Sequence, residues 1–351
     1  MTACSGDTSS VQVSVVVCTY RRPATLKRTL RSLLNQSLPA NCYEIIVVDN
    51  NSGDETAALV SEIATGSQTL IHYAVEPQPG LSHARNHGVQ LARAALIAFI
   101  DDDAEADRYW LAALLHAYDA HADVWAVGGP VSGVWAVPRP EWVSDDLLRS
   151  LSLVEWGDAP RLLTWPERMI GANMSFRREV FEQIGGFNTR LGRRVDMLLS
   201  NEDTELQQRI HAHGKAVFYT PAARVWHHVD AVRLNWRYFV QRSFGHGQSL
   251  AILALLEPIP LSLERVLLTH LLRLFVAAGG LVLSPLRQRN PLDGLLRVAA
   301  GTGFVWQYLR LRSVEPFAQN RVHGHAHRDD KPVDELCPEA RQPHGYDTRI
   351  D

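Results

Sequence analysis

Apolar positions in the first hundred residues switch between two periods. Val13 to Cys18 is a β-branched run ending at a polar turn, the pattern of a strand buried on both faces. Leu26, Leu30, Leu33 and Leu34 follow at helical spacing behind Pro23, which suits a first helical turn. Glu44 to Asp49 reads as a second strand, closed by an Asn50-Asn51-Ser52-Gly53 turn, and Leu70 to Val75 as a third, stopped by Pro77 and Pro79. A helix over Leu81 to Arg93 leads into a fourth strand, Leu96 to Ile100, which runs directly into Asp101-Asp102-Asp103. This alternation predicts a parallel, doubly wound sheet. Such sheets bind ligands beyond the carboxyl ends of their strands. Three of the four strands end there in polar residues: Thr19, Asp49 and Asp101.

From Val124 to Trp165 the pattern loosens into short strands and a Trp- and Pro-bearing stretch. Regularity returns at Gly171-Ala172-Asn173-Met174-Ser175. A helix over Arg178 to Ile184, closed by Gly185-Gly186, a helix from Asn201 to His213, and strands at Ala216 to Tyr219 and Arg224 to His228 are expected next. Beyond Trp236, Val266 to Leu283 is almost wholly apolar, and Leu295 to Leu309 is a weaker apolar stretch. The first is long enough to span a bilayer, but Arg273 near its middle and Gly279-Gly280 oppose a span. A helix lying in or dipping into the inner face of the membrane is preferred, with a buried core helix as the alternative. The tail from Asn320 is polar, His-rich and without periodicity, and reads as disordered.

The 351 residues are 46% hydrophobic and 21% charged, with a net charge of −3. With no global positive field and no Lys/Arg-rich run, nucleic acid is excluded as the expected partner. Cysteines at 4, 18, 42 and 337 have no metal-knuckle spacing. The polar stretch from Met1 to Gln12 lacks an apolar signal core, so a cytoplasmic protein with reduced thiols is expected.

Consecutive carboxylates at the end of a buried strand need a cation between them. Mg²⁺ or Mn²⁺ suits this, taking one or two carboxylates together with substrate phosphates. Strand alternation would point Asp101 and Asp103 the same way and Asp102 the other. Taken alone, the triplet equally fits an acidic cluster capping the helix that follows. Asp49 can accept from a base or ribose, or can simply hold an Asx turn. Gly80 to Gly88 opens a helix whose N-terminus and Arg85 could hold an anion, or Arg85 could lie on a solvated face with Gly80 a turn residue. Asn201 suits an N-cap, with Glu202, Asp203 and Glu205 in the favourable first turns. Helical spacing puts Asp203 on the inward face with Leu206 and Ile210, a candidate general base, and Glu202 on the side of Glu205 and Arg209. His227 or His228 could complete a metal shell or serve as an ordinary core or surface histidine.

Six segments in order over residues 11 to 230 resemble the family-2 glycosyltransferases with the GT-A fold. They are Val15 to Arg22 (VVVCTYRR), Glu44 to Ser52 (EIIVVDNNS), Pro79 to Gly88 (PGLSHARNHG), Phe99 to Asp103 (FIDDD), Gly171 to Ser175 (GANMS) and Glu202 to Leu206 (EDTEL). The resemblance implies a mixed α/β sheet flanked by helices, with a C-terminal helical, membrane-associating extension. It implies a metal-dependent inverting transfer from a nucleotide-diphosphate sugar, a UDP-sugar by resemblance, to a glycan, lipid-linked or small-molecule hydroxyl acceptor. Thr19, Tyr20 and Asp49 would hold the nucleoside, with Gly80 and Arg85 helping at base or phosphate. Asp102, and Asp101 beside it, would lie at the donor. Asp103 would be the main metal ligand, with Asp101 and His227 as further ligands for Mn²⁺ or Mg²⁺. Asp203 matches the base that deprotonates the acceptor. Cys18 departs from the proline many relatives carry, and Gly133 to Glu167 matches no named segment. The implied division is a flexible 1–10, a GT-A domain over 11–235 (nucleotide-sugar half 11–123, acceptor and base half 124–235), a helical extension over 236–319 and a tail over 320–351. A sugar-nucleotidyltransferase is the alternative enzyme, but Thr19-Tyr20-Arg21-Arg22-Pro23 stands where its glycine-rich loop belongs. A catalytically inactive nucleotide-sugar-binding protein is opposed by the presence of both Asp103 and Asp203.

Overall fold

Strand β1 (Val13–Thr19) shows how the sequence pattern becomes layers. Val13, Val15 and Val17 face one side of the sheet and Val16 the other, and each side has its own buried apolar cluster. A computed structural model describes residues 11–256 and 291–314, together with helical positions 269, 271, 272, 275 and 276. On the first side, α1 (Pro23–Leu34) buries Leu26, Leu30 and Leu33 against β1, each worth about 1.5–3 kcal/mol. Pro23 stands at its start, as its fixed φ favours. On the second side, α3 (Leu81–Leu91) approaches β1 through Gly88, where a Cβ would lie 2.4 Å from Val16 Cγ1. Between these helices come β2 (Tyr43–Asp49), α2 (Thr56–Thr65) and β3 (Leu70–Val75), and α3 leads to β4 (Leu96–Asp101).

After β4 the strands are β5 (Ala104–Ala106), β6 (Val124–Gly128), β7 (Val131–Trp135), β8 (Arg161–Leu162), β9 (Asn173–Arg177) and β10 (Ala216–Tyr219). The main sheet has eight strands in the order β3-β2-β1-β4-β9-β6-β10-β8. β1 to β4 run parallel, and β9 lies antiparallel between β4 and β6. The sheet is therefore mixed, as the family resemblance implies, and not wholly parallel as alternation alone suggests. A smaller sheet, β5-β11-β7 with β11 at Val225–Val229, folds over the end of β4. In it His227 pairs with Ala104, and the His228 N–H donates to the Asp103 carbonyl at 2.9 Å, so β11 clamps the aspartate turn.

Helices α4 (Trp110–Ala120), α5 (Arg178–Ile184) and α6 (Glu202–Ala212) flank the sheets. α5 ends on Gly185 at φ 79°, the left-handed stop expected of Gly185-Gly186. The irregular region after Val124 contains β6, β7, a 3₁₀ turn over Asp145–Leu151 and the short β8.

Two further helices, α7 (Trp236–Leu256) and α8 (Pro291–Val314), pack through glycine. A Cβ on Gly247 would meet the Ala300 carbonyl at 1.9 Å, and one on Gly303 the Phe244 carbonyl at 2.1 Å. The backbones thus touch where any side chain would separate them. Phe239 of α7 is buried with Val131, Val143 and Val229, which fastens the pair to the irregular half. The second apolar stretch, over Leu295 to Leu309, lies inside α8 with Leu296, Phe304 and Tyr308 buried. Among the described residues no helix is long and apolar enough to cross a membrane. Most of Val266 to Leu283, the first ten residues and the tail from Asn320 lie outside the described residues.

Candidate active site

β1 and β4 are neighbours in register, with Cys18 opposite Asp101, so their carboxyl ends bring Thr19 beside the aspartates. Thr19 Oγ1 donates to Asp102 Oδ2 at 2.7 Å. Three residues beyond the strand end, Arg22 donates to both Asp102 Oδ1 (3.3 Å) and Asp103 Oδ2 (2.8 Å). Asp101 and Asp103 converge as alternation expects, but Asp102 is not turned wholly away from Asp103, because β4 ends at Asp101. Asp102 and Asp103 occupy a turn, and a single guanidinium reaches both. From the other side, Arg233 donates to Asp103 Oδ2 at 2.7 Å, and His227 Nε2 lies 3.1 Å from Asp103 Oδ1.

These carboxylates differ sharply in electrostatics. Burial, then the charge of Asp103, pushes Asp102 up to about 7 despite Arg22 and Thr19. Asp103 is also buried, but His227, Arg233 and Arg22 outweigh that and hold it well below the usual carboxylate range. Burial pushes the neighbouring Cys18 thiol up to about 12, so the thiol stays protonated and inert. Asp101, Asp103 and His227 place one ligand atom each within 4.8 Å of one another. Two carboxylates and an imidazole are a donor set that fits a hard divalent cation. Among the described residues the buried His227 Nδ1 has no hydrogen-bond partner.

Across the cleft, α6 begins at Glu202. Asn201 before it is left-handed (φ 72°) and makes no side-chain cap, contrary to the cap expected there. The chain swings through Asn201 so that the first turn of α6 faces the cleft end-on. Glu202 and Asp203 therefore both line it. The expected outward Glu202 is buried, because face-by-face spacing governs the helix body, where Leu206 and Ile210 are buried, and not its terminus. Glu202 Oε1 accepts from Arg85 at 2.7 Å. Asp203 is oriented by neutral donors, the Gly171 N–H on Oδ2 (2.8 Å) and the Thr204 N–H on Oδ1 (2.7 Å). A Cβ on Gly171 would lie 2.5 Å from Arg85 Nη2, so a side chain there would displace the guanidinium. Together these residues bound one cleft of about 470 Å³.

The family model described as Glycosyl transferase family 2 matches residues 14–185. A glucosyl-dolichyl phosphate glucuronosyltransferase of Haloferax volcanii is 29% identical over 304 residues, covering 85% of this chain and 96% of that protein. The succinoglycan biosynthesis protein ExoM of Rhizobium meliloti is 29% identical over 243 residues, covering 68% and 74%. Residues 14–185 form a glycosyltransferase family 2 domain. Solved structures share its fold. The mannosyltransferase PcManGT from Pyrobaculum calidifontis, in complex with GDP-Man and Mn²⁺, matches with a TM-score of 0.55 at 22% identity over 89% of this chain and 86% of that one. S. aureus TarS 1-349 in complex with UDP matches at 0.51 and 16% identity, over 87% and 92%. The family-2 glycosyltransferase described here thus has the GT-A fold.

In this glycosyltransferase, Thr19, Tyr20, Arg85, Asp101, Asp102, Asp103, Asp203 and His227 all line the one cleft. Asp49 and Gly80 are not among its lining residues. Both Asp49 oxygens are taken, Oδ1 by the Ser52 N–H (2.9 Å) and hydroxyl (2.5 Å), Oδ2 by the Tyr73 hydroxyl (2.6 Å), so it holds the turn after β2. The Gly80 N–H donates to Asn50 Oδ1 at 2.7 Å, and its φ of 137° starts α3. Arg85 is neither solvated nor free. It is buried between Glu202, Asp101 (3.4 Å) and the Gly171 carbonyl (3.3 Å). His228 points away, to Glu105. Arg22, Arg168, Arg233, Arg242 and His246 went unmarked in the sequence, yet all line the cleft. Arg22 had a signal in the Thr-Tyr-Arg-Arg strand end. The other four sit in irregular chain or on α7, where no spacing rule points to them.

Proposed function

We propose that this glycosyltransferase is a metal-dependent inverting enzyme that moves a sugar from a nucleotide-diphosphate sugar, UDP-linked by family resemblance, to an acceptor hydroxyl. One observation carries the reading: the Asp101–Asp103–His227 group and Asp203 line the same cleft, at the strand ends and on the facing helix. Asp103, Asp101 and His227 would hold Mn²⁺ or Mg²⁺, which when bound supplies Lewis-acid neutralisation of the departing diphosphate. A GDP-Man complex with Mn²⁺ and a UDP complex among proteins of this fold support a donor of that class.

Thr19 and Tyr20 border the nucleoside end of the cleft, with Asp49 shaping it from behind as the holder of the β2 turn. Arg85, with its charge shared between Glu202 and Asp101, is a positioning residue joining the donor wall to α6. Asp203, fixed by Gly171 and Thr204, keeps lone pairs for the acceptor proton. As that proton moves to Asp203, the acceptor oxygen attacks the anomeric carbon from the face opposite the nucleotide, and configuration inverts in one displacement. The acceptor is a glycan, a lipid-linked sugar or a small molecule. A relative named for a glucosyl-dolichyl phosphate substrate favours the lipid-linked class and a cytoplasmic enzyme at the inner membrane face. The nucleotide-sugar half (11–123), the base half (124–235) and the extension (236–319) are kept as the working division of the chain.

A screen of nucleotide sugars with Mn²⁺ or Mg²⁺, read as release of free nucleotide, tests the class; no release from any donor sinks it. Asp203→Asn should lower kcat by about 10²–10⁴-fold with donor affinity retained. An unchanged rate would remove Asp203 from the role of base.

A further inference from the structure

Eight arginines and five carboxylates line the cleft. Arg22, Arg85 and Arg233 take up Asp101, Asp102, Asp103 and Glu202. The fifth carboxylate, Asp203, is held by backbone and hydroxyl donors and has no arginine at ion-pair distance among the described residues. Five arginines are left without a carboxylate partner among the described residues. Of these, Arg193 lies in the field of Tyr238, Asp103 and Asp101, and Arg194 donates to the Thr189 carbonyl at 2.8 Å. That leaves Arg149, Arg168 and Arg242 on the side away from the strand-end aspartates. Neutral groups fix them instead. Arg242 donates to the carbonyls of Leu198 (3.0 Å) and Leu199 (3.3 Å). Arg168 donates to the Pro166 carbonyl (3.2 Å) and lies over the Trp165 ring (5.5 Å). Arg149 lies over the Trp156 ring (5.1 Å). Carbonyls and ring faces orient a guanidinium without cancelling its charge.

The surplus is felt locally. Burial, then Arg193, lowers Arg242 to about 10. Burial, then Arg242 and Arg168, lowers the cleft-lining His246 to about 4, leaving a neutral imidazole among cations. Both Arg168 and Arg242 lie within the field of Asp203, whereas the aspartates at the opposite end have arginines of their own. Arg168 and Arg242 are half-buried and Arg149 is exposed. Charge drawn partly out of water and left unpaired is costly, and it persists where a ligand supplies the partner.

We propose that Arg149, Arg168 and Arg242 form a receiving site for a phosphate group on the acceptor, which is therefore a glycosyl phosphate whose free hydroxyl meets Asp203. The proposal rests on Asp203 marking the acceptor side. A phosphate group carries more oxygens than a carboxylate and can accept from several guanidinium N–H groups at once, which suits a cleft wall lined by three of them. The same chemistry is offered by a soluble sugar phosphate and by a lipid-linked sugar phosphodiester.

The test uses the full chain with Mn²⁺ and an active donor, and three acceptor series: hexose 1-phosphates, alkyl hexosyl phosphodiesters and the matching alkyl hexosides without phosphate. The phosphorylated series should be used at least about tenfold better in kcat/KM. Preference for the alkyl phosphodiester over the free sugar phosphate identifies the lipid-linked source, and the reverse the soluble one. Arg168→Gln and Arg242→Gln should each lower kcat/KM for phosphorylated acceptors by about ten- to hundredfold, mainly through KM, with the donor KM in place, and Arg168→Lys should restore part of it. The native-enzyme comparison needs no variant to fold. Equal use of hexosides, or variants that raise the donor KM instead, overturns the proposal. Nucleotide release without phosphate preference overturns it alone, whereas no release from any donor overturns the transferase reading and the acceptor site with it.

Discussion

The two ends of the main sheet treat buried carboxylates in opposite ways. At the amino end, Glu44 is fully buried and richly served. Oε1 accepts from the Ser14 hydroxyl (2.6 Å) and the Arg93 N–H (2.9 Å), Oε2 from Arg93 Nε (2.8 Å), with His72 Nε2 at 3.2 Å. Burial alone would raise it, but these donors outweigh burial and hold it below the usual carboxylate range. At the carboxyl end, three carboxylates compete for Arg22, Arg85 and Arg233, and Asp102 is raised to about 7. One end has donors to spare and serves folding. The other is crowded with negative charge, an arrangement that costs stability and suits a cation and a substrate.

The largest effect should follow from breaking the crowded end. Asp103→Asn, which keeps one acceptor oxygen for Arg22 and Arg233, should cost about a thousandfold in metal-dependent turnover, a few kcal/mol of transition-state stabilisation. Calorimetric titration with Mn²⁺ should show weakened binding, with circular dichroism unchanged. Metal affinity equal to that of the native chain would take Asp103 out of the metal site.

Next in size is the pair that ties this end to α6. Arg85 and Glu202 have side chains 3% and 8% exposed, so screening by solvent is slight. Arg85→Met leaves a buried carboxylate without its cation and should cost about 3–5 kcal/mol in denaturant unfolding. Adding Glu202→Leu should recover most of that, since an apolar pair of similar volume tolerates burial. A single-variant cost under about 1 kcal/mol would contradict a closed ion pair. The double variant also separates two roles for Arg85: an unchanged donor KM assigns it to positioning, whereas a raised one assigns it to the nucleotide.

What was legible in the sequence follows the same division of the molecule. β1 to β4 and α1 to α3 are regular because their apolar positions repeat at strand and helix period, and register then carries Thr19 and Asp101 to one edge automatically. The Asp101–Asp103 turn and His227 were found for that reason, as strand ends. The opposite wall is assembled by single contacts between distant residues, such as Gln207 Oε1 accepting the Met169 N–H (2.8 Å) and Arg242 reaching the Leu198 carbonyl. Such contacts leave no period. The inward turn of Glu202 depends on one left-handed residue, Asn201, whose conformation a cap preference does not reveal. Arg242 and His246 come to the cleft because α7 lies where Gly245 and Gly247 let it approach the Leu198 and Ala300 backbones.

The smallest expected effect lies at the well-served end, and it sharpens the contrast because it should touch stability alone. Glu44→Gln replaces a carboxylate with an amide whose NH₂ faces the Arg93 guanidinium and N–H, losing one acceptor and its charge. The loss should be about 1–3 kcal/mol at pH 7, towards the lower figure because the Arg93 side chain is 54% exposed and partly screened. Because the folded chain holds Glu44 below its ordinary range, its contribution is fully present above pH 4.5 and disappears as pH falls through the depressed value. Urea unfolding at pH 7, 5 and 3 should therefore give a constant difference between native and variant chains at the first two, and a smaller one at the third. A difference that grew on acidification would mean that the charged form of Glu44 is not the stabilised one. Turnover should be unchanged, since Glu44 stands five residues, roughly 17 Å, down β2 from the end that faces the site. A fall in kcat with Glu44→Gln would show that the two ends of the sheet are coupled through β2, and that the separation of folding from chemistry is incomplete.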